Sequence, residues 1–374
     1  MRVLVLTPQP VSSLHDGLNL RIHHLFRELG RRHEVWVGFL DEQGAAGDAR
    51  SQAGIPGIAG ARAIPLHGRD GAPFRHCEDF SPEAAAALER LADDVAPDVI
   101  VAESIYLEPY ARRLLARPLL LDLVDAMSLL VWRSFRSEPA WRDRLRHLRA
   151  WWFWRRYQRE HLGAFSRLVV TSPVDARVIQ RCAPRAEVAV LQNGVDAEAF
   201  RPWPQAPSAP EIVFTGVMGF RPNEVAAMHF YRKVFPAVRA AVPGARFTIA
   251  GRGPTERLRA LVAGDPAVSL TGAVPDIRPY IGRAAVYVAP MISGSGIKNK
   301  ILEAWSMARP VVATPMACAG LGGRPGATHV VAAAPRAFAD AVVRLLRDRR
   351  LGDRIGDGAR QLVLERYQWS VQAA

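Results

Sequence analysis

The 374-residue sequence predicts an α/β chain made of two parallel-sheet domains. Strand-like and helix-like stretches alternate from the first residues, the rhythm of a parallel sheet covered by helices. The alternation pauses at a proline-rich joint, RPWPQAPSAP at 201–210, and then restarts. The length suits about two domains of ordinary size.

In the first half, Val3–Leu6 reads as a strand, Leu18–Gly30 as a helix and Glu34–Leu40 as a strand. Residues 42–61 are rich in Gly and Ala and read as a loop. Ser81-Pro82-Glu83 has the form of a helix start, with a serine cap, proline in the first turn and an early acid. Strands follow near Val99–Ala102, Leu119–Val124, Leu168–Thr171 and Val188–Leu191.

Ligands of open parallel sheets bind beyond the carboxyl ends of the strands. Gly17 lies there, in the loop after the first strand, with Arg21 one turn further on. The loop lacks GxGxxG and is no dinucleotide fingerprint. The two residues read equally as a ligand approach or as a structural glycine and a surface arginine. Asp125 follows the run Leu119–Val124, which contains Asp122. It suits an acceptor-orienting or basic role, or a turn cap.

Residues 132–162 interleave nine arginines with five tryptophans. Trp141, Leu145, Leu148 and Trp152 share one helical face. Three readings stay open: a helix on an anionic bilayer, a helix packed on its own domain, or a single-strand nucleic-acid surface.

In the second half, Asn193-Gly194 marks a turn. Strands are expected at Ile212–Thr215, Phe247–Ala250, Val268–Thr271 and Ala285–Ala289. Glycine loops follow three of the strands, at Gly216–Gly219, Gly251–Gly253 and Ser293–Gly296. All converge on one sheet edge. The last runs into an apolar-rich helix expected from about Ile297 to Ala308, ended by Arg309-Pro310. A helix N-terminus behind a glycine loop is an anion site, because its first N–H groups lack partners and its dipole is positive there. Lys298 and Lys300 add charge. Glu303, among Ile301, Leu302, Ala304 and Trp305, needs hydrogen-bond donors such as ribose hydroxyls. The simpler alternative pairs Lys300 with Glu303 at i,i+3. Two Rossmann-like halves joined in this way predict an interdomain cleft.

The net charge of +13, from 49 Lys+Arg against 36 Asp+Glu, implies an anionic partner. Three widely spaced cysteines, Cys77, Cys182 and Cys318, argue against a disulfide framework and fit a reducing compartment. The chain starts directly on a strand, so no signal peptide is expected. No uncharged run reaches the roughly 20 residues of a membrane span.

The stretches LQNGVDAEAFRP (191–202), FTGVMGFRPN (214–223), AGRGP (250–254), TGAVPDIRPYIGRAAVYVAP (271–290) and GSGIKNKILEAWSMARPVVAT (294–314) together resemble the family-4 glycosyltransferases of GT-B architecture. The resemblance is nearest to bacterial exopolysaccharide and exosortase-associated sugar transferases. It implies an acceptor domain over 1–192, a nucleotide-sugar domain over 193–355, and a helix over 356–374 packing back toward the first domain. It implies sugar transfer from a nucleotide-diphosphate sugar, with retention, to a glycan or lipid-linked acceptor. No metal or cofactor is implied, and the nucleotide sugar is itself a substrate. The setting implied is cytoplasmic, at the inner membrane face, with no nucleic acid partner.

Carried over by position, Lys298, Lys300 and Glu303 hold catalytic places; Asp125 joins them as a candidate from its place at a strand's carboxyl end. Glu303 would hold the ribose, and the lysines would meet phosphate charge. Gly294, Ser295, Gly296, Ile297, Ile301 and Leu302 would form the donor turn. Gly17, Gly216, Arg221, Arg252 and Val274 would complete the donor side, and Arg21 with Asp125 the acceptor side. Two departures read as subfamily features. The first member of a glutamate pair common in the family falls on Ser295, and Gly219-Phe-Arg-Pro222 replaces a lysine-glycine pair. A sugar-nucleotide 2-epimerase or a non-catalytic nucleotide-sugar-binding protein would share the architecture. An epimerase needs cleft carboxylates and histidines, of which the sequence offers no convincing set.

Overall fold

The computed structural model describes residues 1–11, 17–41, 49–66, 80–138, 140–205, 207, 209–294 and 296–374. The chain divides into two compact units. The first comprises Met1–Val131, Leu148–Gln192 and Ala373–Ala374; the second comprises Trp132–His147 and Asn193–Gln372.

Seven parallel strands form the sheet of the first unit: β1 (Arg2–Thr7), β2 (Glu34–Asp41), β3 (Gly60–Pro65), β4 (Val99–Glu103), β5 (Leu119–Asp122), β6 (Arg167–Val170) and β7 (Glu187–Val190). Their order is β3-β2-β1-β4-β5-β6-β7. The central strand β1 buries Leu4, Val5 and Leu6 completely, as expected for a strand covered on both faces. The order reverses between β1 and β4, which makes their carboxyl ends the switch point where such sheets hold ligands. The helix Pro82–Val95 starts as its sequence indicates, with the Ser81 hydroxyl accepting from the Ala84 N–H at 3.1 Å. The loop expected at 42–61 is corrected in part. Ala49–Gln52 is helical, and Gly60 opens β3, a sheet-edge strand whose GARAIP sequence lacks a β-branched run.

The second unit holds six parallel strands: β8 (Glu211–Thr215), β9 (Arg246–Ala250), β10 (Val268–Leu270), β11 (Val286–Ala289), β12 (Val311–Ala313) and β13 (Val330–Val331). Their order is β10-β9-β8-β11-β12-β13. The switch point here lies between β8 and β11, so the three glycine loops leave the ends of adjacent strands β9, β8 and β11. The 201–210 stretch, read as an interdomain joint, lies inside this unit. Trp203 packs so closely on Gly282 that a Cβ there would sit 2.4 Å from the indole. Helix Arg349–Arg366 runs unbroken through the expected boundary at 355/356. It buries Ile355, Ala359 and Val363 in the core of the second unit.

Candidate donor site

The glycine loop follows β11. Gly294 and Gly296 have φ of 110° and 62°, a backbone that side-chain-bearing residues adopt only under strain. Ser295 lies outside the described residues. The helix runs over Asn299–Ser306, two residues later than its apolar pattern indicates, because Ile297 turns into the core and Lys298 takes the extended cap position. The Lys298 side chain makes no cap hydrogen bond to that end. The Lys298 ammonium donates to the Gly296 carbonyl at 2.9 Å, holding its charge against the loop. Ile301 and Leu302 are fully buried, and Ile297 is nearly so. As side chains these three residues are core, so a donor contact from any of them would be through its backbone groups.

Lys300 and Glu303 are both half-buried and form no direct ion pair. The Lys300 ammonium donates instead to Asn223 Oδ1 at 2.6 Å and lies 4.5 Å from the Phe214 ring centre. Burial and the neighbouring Lys298 pull its pKa down to about 7, against the attraction of Glu303. Crowding by protein pushes the Glu303 carboxyl up to about 7, against Lys300. The Glu303 side chain accepts no hydrogen bond from the described residues. Tyr287 is buried beneath the site, with its hydroxyl 2.6 Å from Thr215 Oγ1; burial, first, and then Glu303 raise its pKa. The loop after β8 fits closely over this pair. A Cβ on Gly216 would come within 2.7 Å of the Lys300 ammonium, and one on Gly251 within 1.9 Å of the Gly216 carbonyl.

Arg221 opens the helix Arg221–Lys233 and makes a short ion pair with the buried carboxylate of Glu138. It also lies 3.5 Å from Glu224. From the same 132–147 segment, Arg133 donates to the Gly294 carbonyl at 2.9 Å. Arg252 is exposed, and its carbonyl accepts from the Met218 N–H at 2.8 Å, tying two glycine loops together. Val274 is half-buried in the loop after β10. Gly216, Arg221, Lys298, Lys300 and Glu303 are thus gathered at the ends of β8 and β11.

Around the switch point of the first unit, Gly17 is exposed and opens the helix Gly17–Leu29. Arg21 is fully buried rather than facing an acceptor. Its Nε and Nη2 donate to Asp122 at 2.9 and 2.5 Å, and Nη1 to the Leu191 carbonyl at 2.9 Å. Burial opposes its charge, but Asp122 and Glu103 overcome that and raise its pKa. Asp125 is half-buried just past β5, with its N–H on the Leu123 carbonyl at 2.7 Å. Glu103, at the end of β4, is completely buried and takes no hydrogen bond; burial, then Asp122, push its pKa well up. Backbone strain flanks it, with Ser104 at φ 85° and Val124 at φ 63°.

Two family models match in succession: Glycosyltransferase Family 4 over residues 15–199 and Glycosyl transferases group 1 over residues 209–348. The chain belongs to the family-4 glycosyltransferases. A phosphatidyl-myo-inositol mannosyltransferase of Mycobacterium leprae is 31% identical over 210 residues, covering 53% of this chain and 54% of that protein. The chain thus spans about half the length of the curated relatives it matches. Among solved structures, sucrose-phosphate synthase of Thermosynechococcus elongatus superposes with a TM-score of 0.77 at 16% identity, covering 100% of this chain and 96% of that one. Anabaena Alr3699/HepE in complex with UDP-glucose gives a TM-score of 0.70 at 14% identity, covering 99% and 97%. At these identities the likeness carries the fold, two Rossmann-like domains of the GT-B type.

Within this family-4 chain, sequence reasoning missed Asn223, Arg133, Glu138 and Glu103. Asn223 sits beside a visible motif, so its place after the β8 loop was a usable signal. Arg133 and Glu138 reach the site from 161 and 83 residues away, and no spacing rule connects them.

Proposed function

We propose that the protein is a retaining, metal-independent glycosyltransferase. It moves a sugar from a nucleotide-diphosphate sugar to a glycan or lipid-linked acceptor in cell-surface or exopolysaccharide synthesis, at the cytoplasmic face of a membrane. The supporting observation is the half-buried Glu303 carboxylate, without a hydrogen bond from the described residues, one turn inside a helix whose tip carries Lys298 and Lys300. A diphosphate suits the tip and a ribose suits the carboxylate.

In the proposed reaction the bond from the anomeric carbon to phosphate breaks while a bond to the acceptor oxygen forms on the same face. The acceptor proton passes to the departing phosphate oxygen. Lys298, Lys300 and the backbone N–H groups stabilise the growing phosphate charge. The experiment measures nucleotide release from UDP-glucose, a mannose nucleotide and other nucleotide sugars, each with lipid and glycan acceptors. Acceptor-dependent release with a retained anomeric configuration is expected. No release with any pair, or inversion, overturns the proposal.

Nucleoside-diphosphate affinity should peak near pH 7. Above it Lys300 loses the proton that meets phosphate, and below it Glu303 gains one and stops accepting ribose hydroxyls. Calorimetric titration across pH should show both limbs. Lys300→Arg should flatten the alkaline limb, because a guanidinium stays charged. The folding linkage has opposite signs for the two groups. The cost of burying Lys300 is full below its folded pKa of about 7 and eases as pH rises from there toward 10.5. That of Glu303 is full above about 7 and eases as pH falls toward 4.5.

A further inference from the structure

Helix Trp141–His161 is buried on one side and exposed on the other. On the first side Tyr157 and Gln158 are buried, and the Tyr157 hydroxyl donates to the buried Glu108 carboxylate at 2.5 Å. On the opposite side, Trp141, Leu145, Leu148 and Trp152 recur at i, i+4, i+7 and i+11, which places them in a stripe about 60° wide and roughly 16 Å long. Three of the four face out, with Trp141 66% exposed, Leu145 47% and Trp152 60%, while Leu148 is half-buried. An amphipathic helix in a globular protein normally turns its apolar stripe inward.

The flanks of the stripe are basic. At 100° per residue, Arg149 and Arg156 lie along one edge and Arg144 and Arg155 along the other. Arg156 pairs with Glu160 on its own edge at 2.6 Å, which leaves Arg144 and Arg149 as exposed arginines on opposite edges. An apolar, tryptophan-bearing stripe with a basic residue on each edge matches an anionic interface into which the rings sink while guanidinium groups meet headgroup phosphates. Among the described residues no helix is long and apolar enough to cross a membrane, so the match is to a surface.

We infer that this face of helix Trp141–His161 docks on an anionic lipid bilayer, lying in the plane of the headgroups. The chain's net charge of +13 favours the same partner at longer range.

Flotation with vesicles of phosphatidylglycerol and phosphatidylcholine, against vesicles of phosphatidylcholine alone, tests this without any enzymatic readout. Its failure would leave the donor-site reading untouched. The intact chain should float with the anionic vesicles only. The triple variant Trp141→Ala, Leu145→Ala, Trp152→Ala should lose at least about tenfold in partitioning while keeping its circular dichroism and melting point. Arg144→Gln with Arg149→Gln should weaken binding and its salt dependence. Tryptophan emission should move to shorter wavelength on anionic vesicles, and by less in the triple variant. The inference is overturned if the intact chain stays at the bottom with both vesicle types, or if the triple variant floats like the parent. It also falls if the stripe instead joins two copies, so that the triple variant halves the mass seen by light scattering, or if only an oligonucleotide binds it.

Discussion

Arg21→Met is expected to cost about 3–5 kcal/mol of stability, the range for removing one partner of a buried ion pair. The guanidinium is wholly buried and donates to Asp122 and to the Leu191 carbonyl. Its loss would leave Asp122 and Glu103, both inaccessible, sharing a low-dielectric space with no cation between them. Urea or thermal unfolding of the full chain measures the effect. Adding Asp122→Leu should recover part of the loss, since an apolar pair costs less than a stranded carboxylate. A loss under about 1 kcal/mol for Arg21→Met would contradict this account, since that is the scale of an exposed pair.

Lys300→Ala should lower kcat/KM by about 10²–10³-fold, the range for removing one donor aimed at developing charge. Most of the loss should fall on kcat, because the phosphate gains charge only as the glycosidic bond breaks. Glu303→Ala should instead weaken nucleotide binding, by at least about tenfold, since its proposed contacts are to a ribose that does not react. Steady-state kinetics with the best donor of the panel, together with calorimetric Kd values, separate the two. Equal losses in Kd and kcat/KM for Lys300→Ala would refute the transition-state role. Because Lys300 also holds Asn223, Lys300→Met with an intact melting point is the companion variant.

The second unit was legible because its candidate site rests on local grammar. Each glycine loop follows a strand and precedes a helix, and the strand order then delivers those loops to adjacent positions. The helix start was misjudged by two residues because Ile297 continues the apolar pattern while its backbone still belongs to the loop. The first unit was less legible. An arginine one turn past a loop glycine reads as a surface group, and its partner Asp122 is hidden in a run of leucines. The positive φ at Ser104 and Val124 has no compositional signal, because neither residue type favours that conformation. Strand β3 escaped notice for want of a β-branched run, its identity being set by pairing with β2 rather than by its own propensity.

The grouping of Trp132–His147 with the second unit has a practical consequence for anyone who cuts or recombines this chain. The polypeptide passes from one unit to the other after Val131, returns after His147, and passes again after Gln192. A fragment ending at Gln192 would carry Glu138 and Arg133 away from Arg221 and Gly294, stranding a buried carboxylate in one piece and loosening the glycine loop in the other. Chimeras that exchange donor specificity between relatives should therefore take residues 132–147 from the same parent as 193–372, although the two segments are far apart in the gene.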